Sequence, residues 1–378
     1  MNDLLNKGLL LVEKLQQEGF RAAIVGGAVR DYLLGKQPVD LDLVTSATPE
    51  QLLERYSKSF QLNNRHATVT ISFMDQFFEV TTERGKDLTE DLAMRDFTMN
   101  SIAMDKNKRL IDPLQGEKDL KAGVIRSHEP RKRMAEDPLR MLRALRFVSQ
   151  FGFSLDPSLK EVMTKEKQQI KTVAVERIEK ELERLLIGEF RKHAWQLARE
   201  TSLLSFVPGL TVTAKGLYTL EQLPTEEGLN LPVHWASFCL ANGEELEAIQ
   251  GLRLAKQTEK KVRHLCRYFA FRQEHSWDDT SLYTASLEVA LGVEQLRKWF
   301  GHEPMPAKEL YIKWNSLPIH SREDLQVDGR VLMEHFKEPG GPWIGAALNE
   351  IEQAVLAREI KNEKETLLQW VHERRNNR

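Results

Sequence analysis

The sequence predicts an α+β fold in which a small mixed domain is followed by an all-helical remainder. Three observations carry this reading. Up to about residue 125, segments with apolar residues at helical spacing interleave with short runs that alternate as strands do. Beyond that point every long segment has helical spacing. The Pro, Gly and polar clusters at 207–209, 223–232 and 337–342 separate helices without introducing strand periodicity. A chain of 378 residues is too long for one ordinary core and predicts two to three domains. With 41% hydrophobic and 29% charged residues it reads as soluble and globular. No apolar run approaches the roughly 18 residues needed to span a bilayer. Met1-Asn2-Asp3 does not begin a signal peptide, so a cytoplasmic protein with no membrane partner is expected.

Residues Leu4 to Glu18 predict an amphipathic helix packed on the first sheet and stopped by Gly19. Arg21 to Val25 reads as a strand, after which Gly26-Gly27 permits a tight turn with close backbone approach to a ligand. The helix start that follows offers free N–H groups to an anion. Pro38-Val39 leads into a second strand holding Asp40 and Asp42, and Thr48-Pro49-Glu50 starts a helix. Thr68 to Phe73 and Phe77 to Thr81 alternate as a hairpin, with Glu79 inside its second strand. From Leu88 to Asp105 the first half, LTEDLAMRD, is helical and the second, DFTMNSIAMD, strand-like. Asp112-Pro113 and Gly116 break the pattern before Lys118-Asp119-Leu120 begins the next helix.

The chemistry is concentrated between Ile24 and Thr45. Successive side chains of a strand alternate faces, so Asp40 and Asp42 are expected on one side with Leu41 and Leu43 in the core. Two carboxylates a few ångströms apart suit a hard divalent cation such as Mg2+, which takes oxygen ligands from protein and phosphate. Alone, Asp-x-Asp more often marks a polar strand edge, and Gly-Gly an ordinary turn. Together they favour a metal site. The net charge of -2 argues against a protein that coats nucleic acid indiscriminately. Between Lys121 and Arg146, however, eight Lys or Arg face only Glu129, Glu136 and Asp137. That balance fits a solvated helix face or a set of phosphate contacts. Cys239 and Cys266 lie in apolar, helix-like surroundings and are expected to pack as small hydrophobes, with no disulfide and no structural zinc.

Gly26-Gly27-Ala28-Val29-Arg30-Asp31, Asp40-Leu41-Asp42, Arg95-Asp96-Phe97-Thr98-Met99-Asn100, Asp112-Pro113 with Gly116, and Glu136-Asp137-Pro138-Leu139-Arg140 follow one another in a recognisable order and spacing. In these motifs the sequence resembles the bacterial class II tRNA nucleotidyltransferases, CCA-adding-type enzymes of the polymerase-beta superfamily, over about its first half. The second half is similar more loosely, through LQVDGR around Asp328-Gly329 and GGPWIG from Gly340 to Gly345. The resemblance implies a polymerase-beta-like nucleotidyltransferase head over 1–118, then an all-α neck over 119–188, body over 189–275 and tRNA-binding tail over 276–378.

It also implies roles. Asp40 and Asp42 would hold two Mg2+ ions, one lowering the pKa of the RNA 3′ hydroxyl and the other steadying the triphosphate and the departing pyrophosphate. Glu79 would be a further metal ligand. Gly26, Gly27 and Arg30 would cradle the triphosphate, and Arg95, Asp96 and Asn100 would contact triphosphate and ribose. Residues 112–116 would form a hinge.

Glu136, Asp137 and Arg140 fall on one predicted helix, where a spacing of three to four residues puts side chains on one face. The ordinary fate of such an Asp and Arg is a surface salt bridge. Yet Asp only accepts hydrogen bonds and Arg only donates them. Cytosine and adenine both present an amine donor beside a ring-nitrogen acceptor, and uracil and guanine present the reverse. In the family the protein thus replaces a template strand, with Glu136 orienting Arg140. Arg143 would join this face or bind phosphate. Arg131, Lys132 and Arg133 are candidate contacts to the tRNA acceptor and T-arm stack, recognised by shape.

The chain departs from the family pattern in one consequential place. After Thr81-Thr82-Glu83-Arg84 the pattern carries a longer, charged, flexible segment, whereas here Gly85-Lys86-Asp87 passes almost directly into Leu88 and Glu90-Asp91-Leu92. Loss of that segment is associated in the family with enzymes that add two cytidines and stop. A flexible lever would shift Asp137 and Arg140 to fit the larger adenine. Met94 stands where the pattern has arginine and Ala67 where it has glycine. The expectation is template-independent addition of CC from CTP to tRNA lacking its 3′ CCA end, with a separate A-adding enzyme acting on the product. The alternatives are full CCA addition from CTP and ATP, poly(A) polymerase activity, and a catalytically idle RNA-binding protein. The chain lacks a long basic C-terminal extension, which disfavours the poly(A) reading, and intact Asp40 and Asp42 disfavour the idle one.

Overall fold

The computed structural model of the chain describes residues 3–61, 67–225, 230–243 and 246–376. It divides into two compact units, Met1–Glu221 with Gly251–Arg253, and Gln222–Gln250 with Leu254–Arg378. The first unit takes in the segments expected as head and neck and the start of the expected body.

The first unit opens with α1 (Asp3–Gln17), which buries Leu5, Leu9, Val12 and Leu15, and Gly19 at φ 90° turns the chain into β1 (Ala22–Val25). There follow α2 (Gly27–Leu33), β2 (Asp42–Thr45) and α3 (Pro49–Arg55), whose N-terminus is closed by a capping box between Thr48 and Gln51. Strands β3 (Ser59–Phe60), β4 (Thr68–Phe73) and β5 (Gln76–Thr82) come next. Met74 and Asp75, both at positive φ, make the two-residue turn of the β4–β5 hairpin. After α4 (Leu88–Ala93), β6 (Ala103–Met104) and β7 (Leu110–Ile111) complete a sheet of order β3-β4-β5-β2-β1-β6-β7. Its pairs are antiparallel except β2 with β5, which run parallel.

One sheet face packs Ile24, Leu43, Val69, Ile71, Phe78 and Val80 with α1 into the main core. The other carries a small cluster of Ala23, Val25, Val44, Leu92 and Ala103 and then opens to solvent over β5, where Phe77 and Glu79 are exposed. The expected strand through DFTMNSIAMD is instead a single 3-10 turn at Thr98–Asn100 followed by the two-residue β6.

The chain continues through α5 (Gly116–Ala122), β8 (Val124–Ile125), α6 (Pro130–Glu136), α7 (Leu139–Phe151), β9 (Ser154–Leu155), α8 (Pro157–Glu166), α9 (Val175–Leu186), α10 (Arg191–Thr201) and α11 (Ala214–Gln222). The expected boundary at 118/119 falls inside α5. The short parallel pair β8–β9 interrupts what the sequence presents as purely helical. A larger correction concerns Glu136 to Arg140, which do not share one helix. Residues before proline are pushed out of the helical region, and Asp137, ahead of Pro138, is extended at φ -148° and ψ 96°, ending α6 before α7 begins.

The second unit is helical throughout its described residues. Helices α12 (Leu231–Asn242) and α13 (Lys256–Glu274) carry Cys239 and Cys266, both buried and free. A hydrogen bond to Cys266 and burial hold the Cys239 thiol far above its usual range, so the pair packs as apolar side chains, as expected. Among the described residues no helix is long and apolar enough to cross a membrane.

Candidate active site

The turn after β1 fixes the floor of the site. Gly26 has φ 74°, and a side chain there would come within 3.1 Å of Arg95 Nη1 and 3.9 Å of Asp42 Oδ2. Glycine both adopts this backbone and keeps the space between cation and carboxylate clear. Asp42 is the first residue of β2 and lies beside Glu79 of β5 in parallel register. Asp40 precedes the strand rather than belonging to it, exposed and two residues upstream. Burial, then Glu79, raise the Asp42 carboxyl above its ordinary value; Arg95 opposes the rise and Asp40 adds to it. Crowded carboxylates offering only oxygen are the donor chemistry that a hard divalent ion matches. The residues present therefore fit the metal chemistry expected of Asp40 and Asp42. Among the described residues, however, no three such side chains gather into one ligand set. Glu79, the register partner of Asp42, is not among the residues lining the cavity described next.

A cavity of about 680 Å³ opens over this floor. Eight arginines line it (Arg30, Arg84, Arg95, Arg140, Arg143, Arg146, Arg177 and Arg184) against five aspartates, Asp31, Asp40, Asp42, Asp96 and Asp137. That excess of positive charge suits a polyanion such as a nucleoside triphosphate, which guanidinium groups bind in paired hydrogen bonds.

Several of these groups are held in one polar chain. Arg30 donates from Nη1 to Asn100 Oδ1 at 2.7 Å and from Nη2 to Asp31 at 2.8 Å, and its guanidinium lies over the rings of Phe147 and Phe151. Asn100 donates to Asp96 Oδ1 at 3.0 Å, while Asp96 Oδ2 takes two bonds from Arg143, at 2.8 and 2.6 Å. Burial alone would raise the Asp96 carboxyl, but Arg143 and Asn100 hold it below the usual carboxylate range. Asp96 thus lines the cavity as a carboxylate held in place by Arg143 and Asn100. Arg143, also in the cavity lining, is tied to Asp96 and lies 3.7 Å from Glu181. Arg146 sits 3.0 Å from Glu181. Burial pushes its guanidinium down to about 10 against the pull of Glu181, so it stays charged at neutral pH.

At the α6–α7 break, Glu136 bridges two arginines, Arg133 at 2.8 Å and Arg140 at 3.4 Å. Arg140 also donates to the carbonyls of Arg133 at 3.0 Å and Met94 at 3.3 Å. Glu136 thus stands within ion-pair distance of Arg140, the residue it is expected to orient. Asp137 does not pair with Arg140. Its two oxygens accept from Arg177 of α9, at 2.8 and 3.3 Å. Arg131 and Lys132 are exposed, but Arg133 is buried under Glu136, so its guanidinium is not offered to RNA as expected.

Arg177 and Arg184 are the residues the sequence reading passed over. They stand seven apart on α9 and so share a face, a visible signal. Only the fold shows that this face looks into the cavity. The short connection at 83–87 is firmly tied. Arg84 donates to Asp91 Oδ1 at 2.9 Å, Arg95 to Asp91 Oδ2 at 3.1 Å, and Asp87 caps α4 through the Glu90 N–H.

Known proteins match throughout. The chain fits the family models described as tRNA nucleotidyltransferase domain 2 (putative) over residues 232–371, Poly A polymerase head domain over 22–88 and 83–126, and probable RNA and SrmB-binding site of polymerase A over 152–213. A CC-adding tRNA nucleotidyltransferase of Halalkalibacterium halodurans is 44% identical over 377 residues, 99% of each chain. A CCA-adding enzyme of Geobacillus stearothermophilus is 36% identical over 400 residues, with 98% of each chain covered. The crystal structure of the Bacillus stearothermophilus CCA-adding enzyme in complex with CTP superposes with a TM-score of 0.89 at 34% identity, covering 100% of this chain and 99% of that one. With a polymerase-beta-like mixed sheet, a helical remainder and an arginine-lined cavity over paired aspartates, the chain belongs to the tRNA nucleotidyltransferases, enzymes that add nucleotides to the 3′ end of tRNA.

Proposed function

We propose that this protein adds two cytidines from CTP to a tRNA lacking its 3′ CCA end and stops there, leaving the terminal adenosine to a separate enzyme. The observation that carries this reading is the connection at 83–87, which passes from β5 to α4 with no room for a lever. Arg84 on its near side and Asp87 on its far side are both bonded into α4. Relatives named for CC addition and for CCA addition both match over nearly the full chain, so likeness alone does not choose between them.

The chemistry follows from the residues. Magnesium ions held by Asp40 and Asp42 would supply charge stabilisation at the reacting phosphate and a more acidic 3′ hydroxyl. Gly26 and Gly27 leave room for the triphosphate, and Arg30 and Arg95 neutralise it. At the base, Asp137 accepts from the exocyclic amine of cytosine while Arg140 donates to its ring nitrogen. A carboxylate has about four lone-pair sites, so Asp137 holds Arg177 and still has capacity for the amine. Glu136 keeps Arg140 at its post, and the bonds from Arg140 to the Arg133 and Met94 carbonyls limit how far it moves. A cytoplasmic location fits such a substrate.

The test is direct. The protein is incubated with tRNA lacking its 3′ end, CTP, ATP and Mg2+, and the product is sequenced. The expected product ends in CC, and a terminal A after CC would replace this reading with full CCA addition.

A further inference from the structure

The sheet face that carries the acidic residues does not end at them. Register partners on neighbouring strands share a face, and Asp42 pairs with Glu79, Glu79 with Thr70, and Thr70 with Phe60. Phe77 lies on the same face, because residues two apart along a strand point the same way. Both rings are open to solvent, Phe77 at 67% and Phe60 at 44% exposure. Their centroids are 6.3 Å apart in an edge-to-face arrangement. The core does not need them: Ile71, Phe78 and Val80 fill the opposite face and are wholly buried. Thr70 stands between Phe60 and Glu79 in the register, and Ser72 is the cross-strand partner of Phe77.

Large exposed aromatics placed side by side require an explanation that scattered single ones do not. The distances supply one. Phe77 stands about 7 Å along the strand from Glu79, and Phe60 about 14 Å, three strand spacings, from Asp42. A stacked nucleic acid strand rises about 3.4 Å per nucleotide. The rings are therefore within reach of the last few bases of an RNA whose 3′ hydroxyl meets the carboxylates. Aromatic platforms bind bases through their faces without reading sequence. That suits a substrate whose terminal base changes with each addition.

We propose that Phe77, together with Phe60, is a stacking platform for the 3′-terminal bases of the RNA substrate and positions its 3′ hydroxyl at the acidic pair. The proposal rests on Asp40 and Asp42 being the catalytic centre. The occupant is fixed by continuity, since the platform and the carboxylates are one uninterrupted sheet face.

The experiment uses the full chain with a tRNA lacking its 3′ end and carrying a fluorescent purine analogue at its last position. For Phe77→Ala and the Phe60→Ala/Phe77→Ala pair, the KM for tRNA should rise by roughly 5- to 100-fold. The KM for CTP should hold, and the quenching of the analogue on binding should disappear. Phe77→Trp should restore both. Unchanged tRNA KM and unchanged quenching in the double variant overturn the platform. So does a dimer that the double variant dissolves while tRNA kinetics stay as they were, since the rings would then be a contact between copies of the chain. Asp42→Ala, run in parallel, separates the two claims. If it abolishes incorporation and leaves tRNA binding intact, an unchanged Phe variant counts against the platform alone. Retained incorporation removes the centre and the platform with it.

Discussion

Asp137, proposed above to read the base, shows at the scale of single residues how a carboxylate is held rigid. Pro138 forces it out of the helix, and Arg177 then takes both of its oxygens, a bidentate grip that fixes the plane of the carboxylate. The pair is half exposed, so its worth to stability is small. On the proposed role its worth to discrimination is larger, because a carboxylate free to rotate can accept from the N3–H of uracil as well as from the amine of cytosine. Arg177→Ala is therefore expected to leave the fold intact and raise UTP incorporation relative to CTP by about tenfold, the effect of about 1.4 kcal/mol. Single-turnover incorporation with each nucleotide measures it, and an unaltered ratio would remove Arg177 from base selection. From the sequence, Asp137 and Arg140 were legible as an acceptor and a donor because their chemistry is local. Arg177 was not, since its partner lies forty residues away in the chain and only packing brings α9 to the break. Arg133 misled for the converse reason: composition counts a positive charge without showing that Glu136 covers it.

Among elements, the strands and turns of the mixed sheet were legible because each carries its own signal: alternation in β4 and β5, Gly26-Gly27 after β1, the Thr48 cap on α3. The α6–α7 break was written there too, in Pro138, but helical spacing on either side masked it. The link at 83–87 is the element on which the proposed stop at CC rests. Asp91 is buried, which alone would raise its carboxyl, yet Arg95 and Arg84 pull it below its ordinary value. This clasp joins the end of β5 to α4, and Met94, just past α4, holds Arg140 through its carbonyl. Arg140, the arginine proposed to select the base, is thus moored to a short connection. Inserting a flexible charged segment between Gly85 and Lys86 is expected to slacken that mooring and let Arg140 shift for adenine, so that some product ends in CCA. Sequencing of products made with CTP and ATP reads this out. If the insertion variant keeps full CTP activity and still ends every product at CC, the connection does not set the stopping point.

At the scale of the whole molecule, length announced more than one domain, but the sequence placed the divisions by family pattern and punctuation, whereas compactness is decided by contacts distant in the chain. Helices as late as α10 belong to the same unit as the mixed sheet because α10 packs on α7 and α9. This has a measurable consequence for nucleotide binding. Every residue lining the arginine-rich cavity belongs to the first unit, from Gly26 to Arg184. A ligand that binds only the folded state stabilises what it contacts, by about 2.7 kcal/mol at a hundredfold excess over its Kd. Hydrogen exchange with CTP and Mg2+ but no tRNA should therefore show slowed exchange in peptides spanning β1–α2, β2, the Thr98–Asn100 turn, α7 and α9. Peptides of α12 and α13 should exchange as in the free protein, despite a second cavity in that unit lined by Val233, Leu291 and Met305. That cavity is mainly apolar in its walls, with Lys298 as its lone cationic lining residue, and so offers little to a triphosphate. Protection that appeared there, and not around Arg30 and Arg140, would place the nucleotide in the second unit and take the arginine-lined cavity out of the reaction.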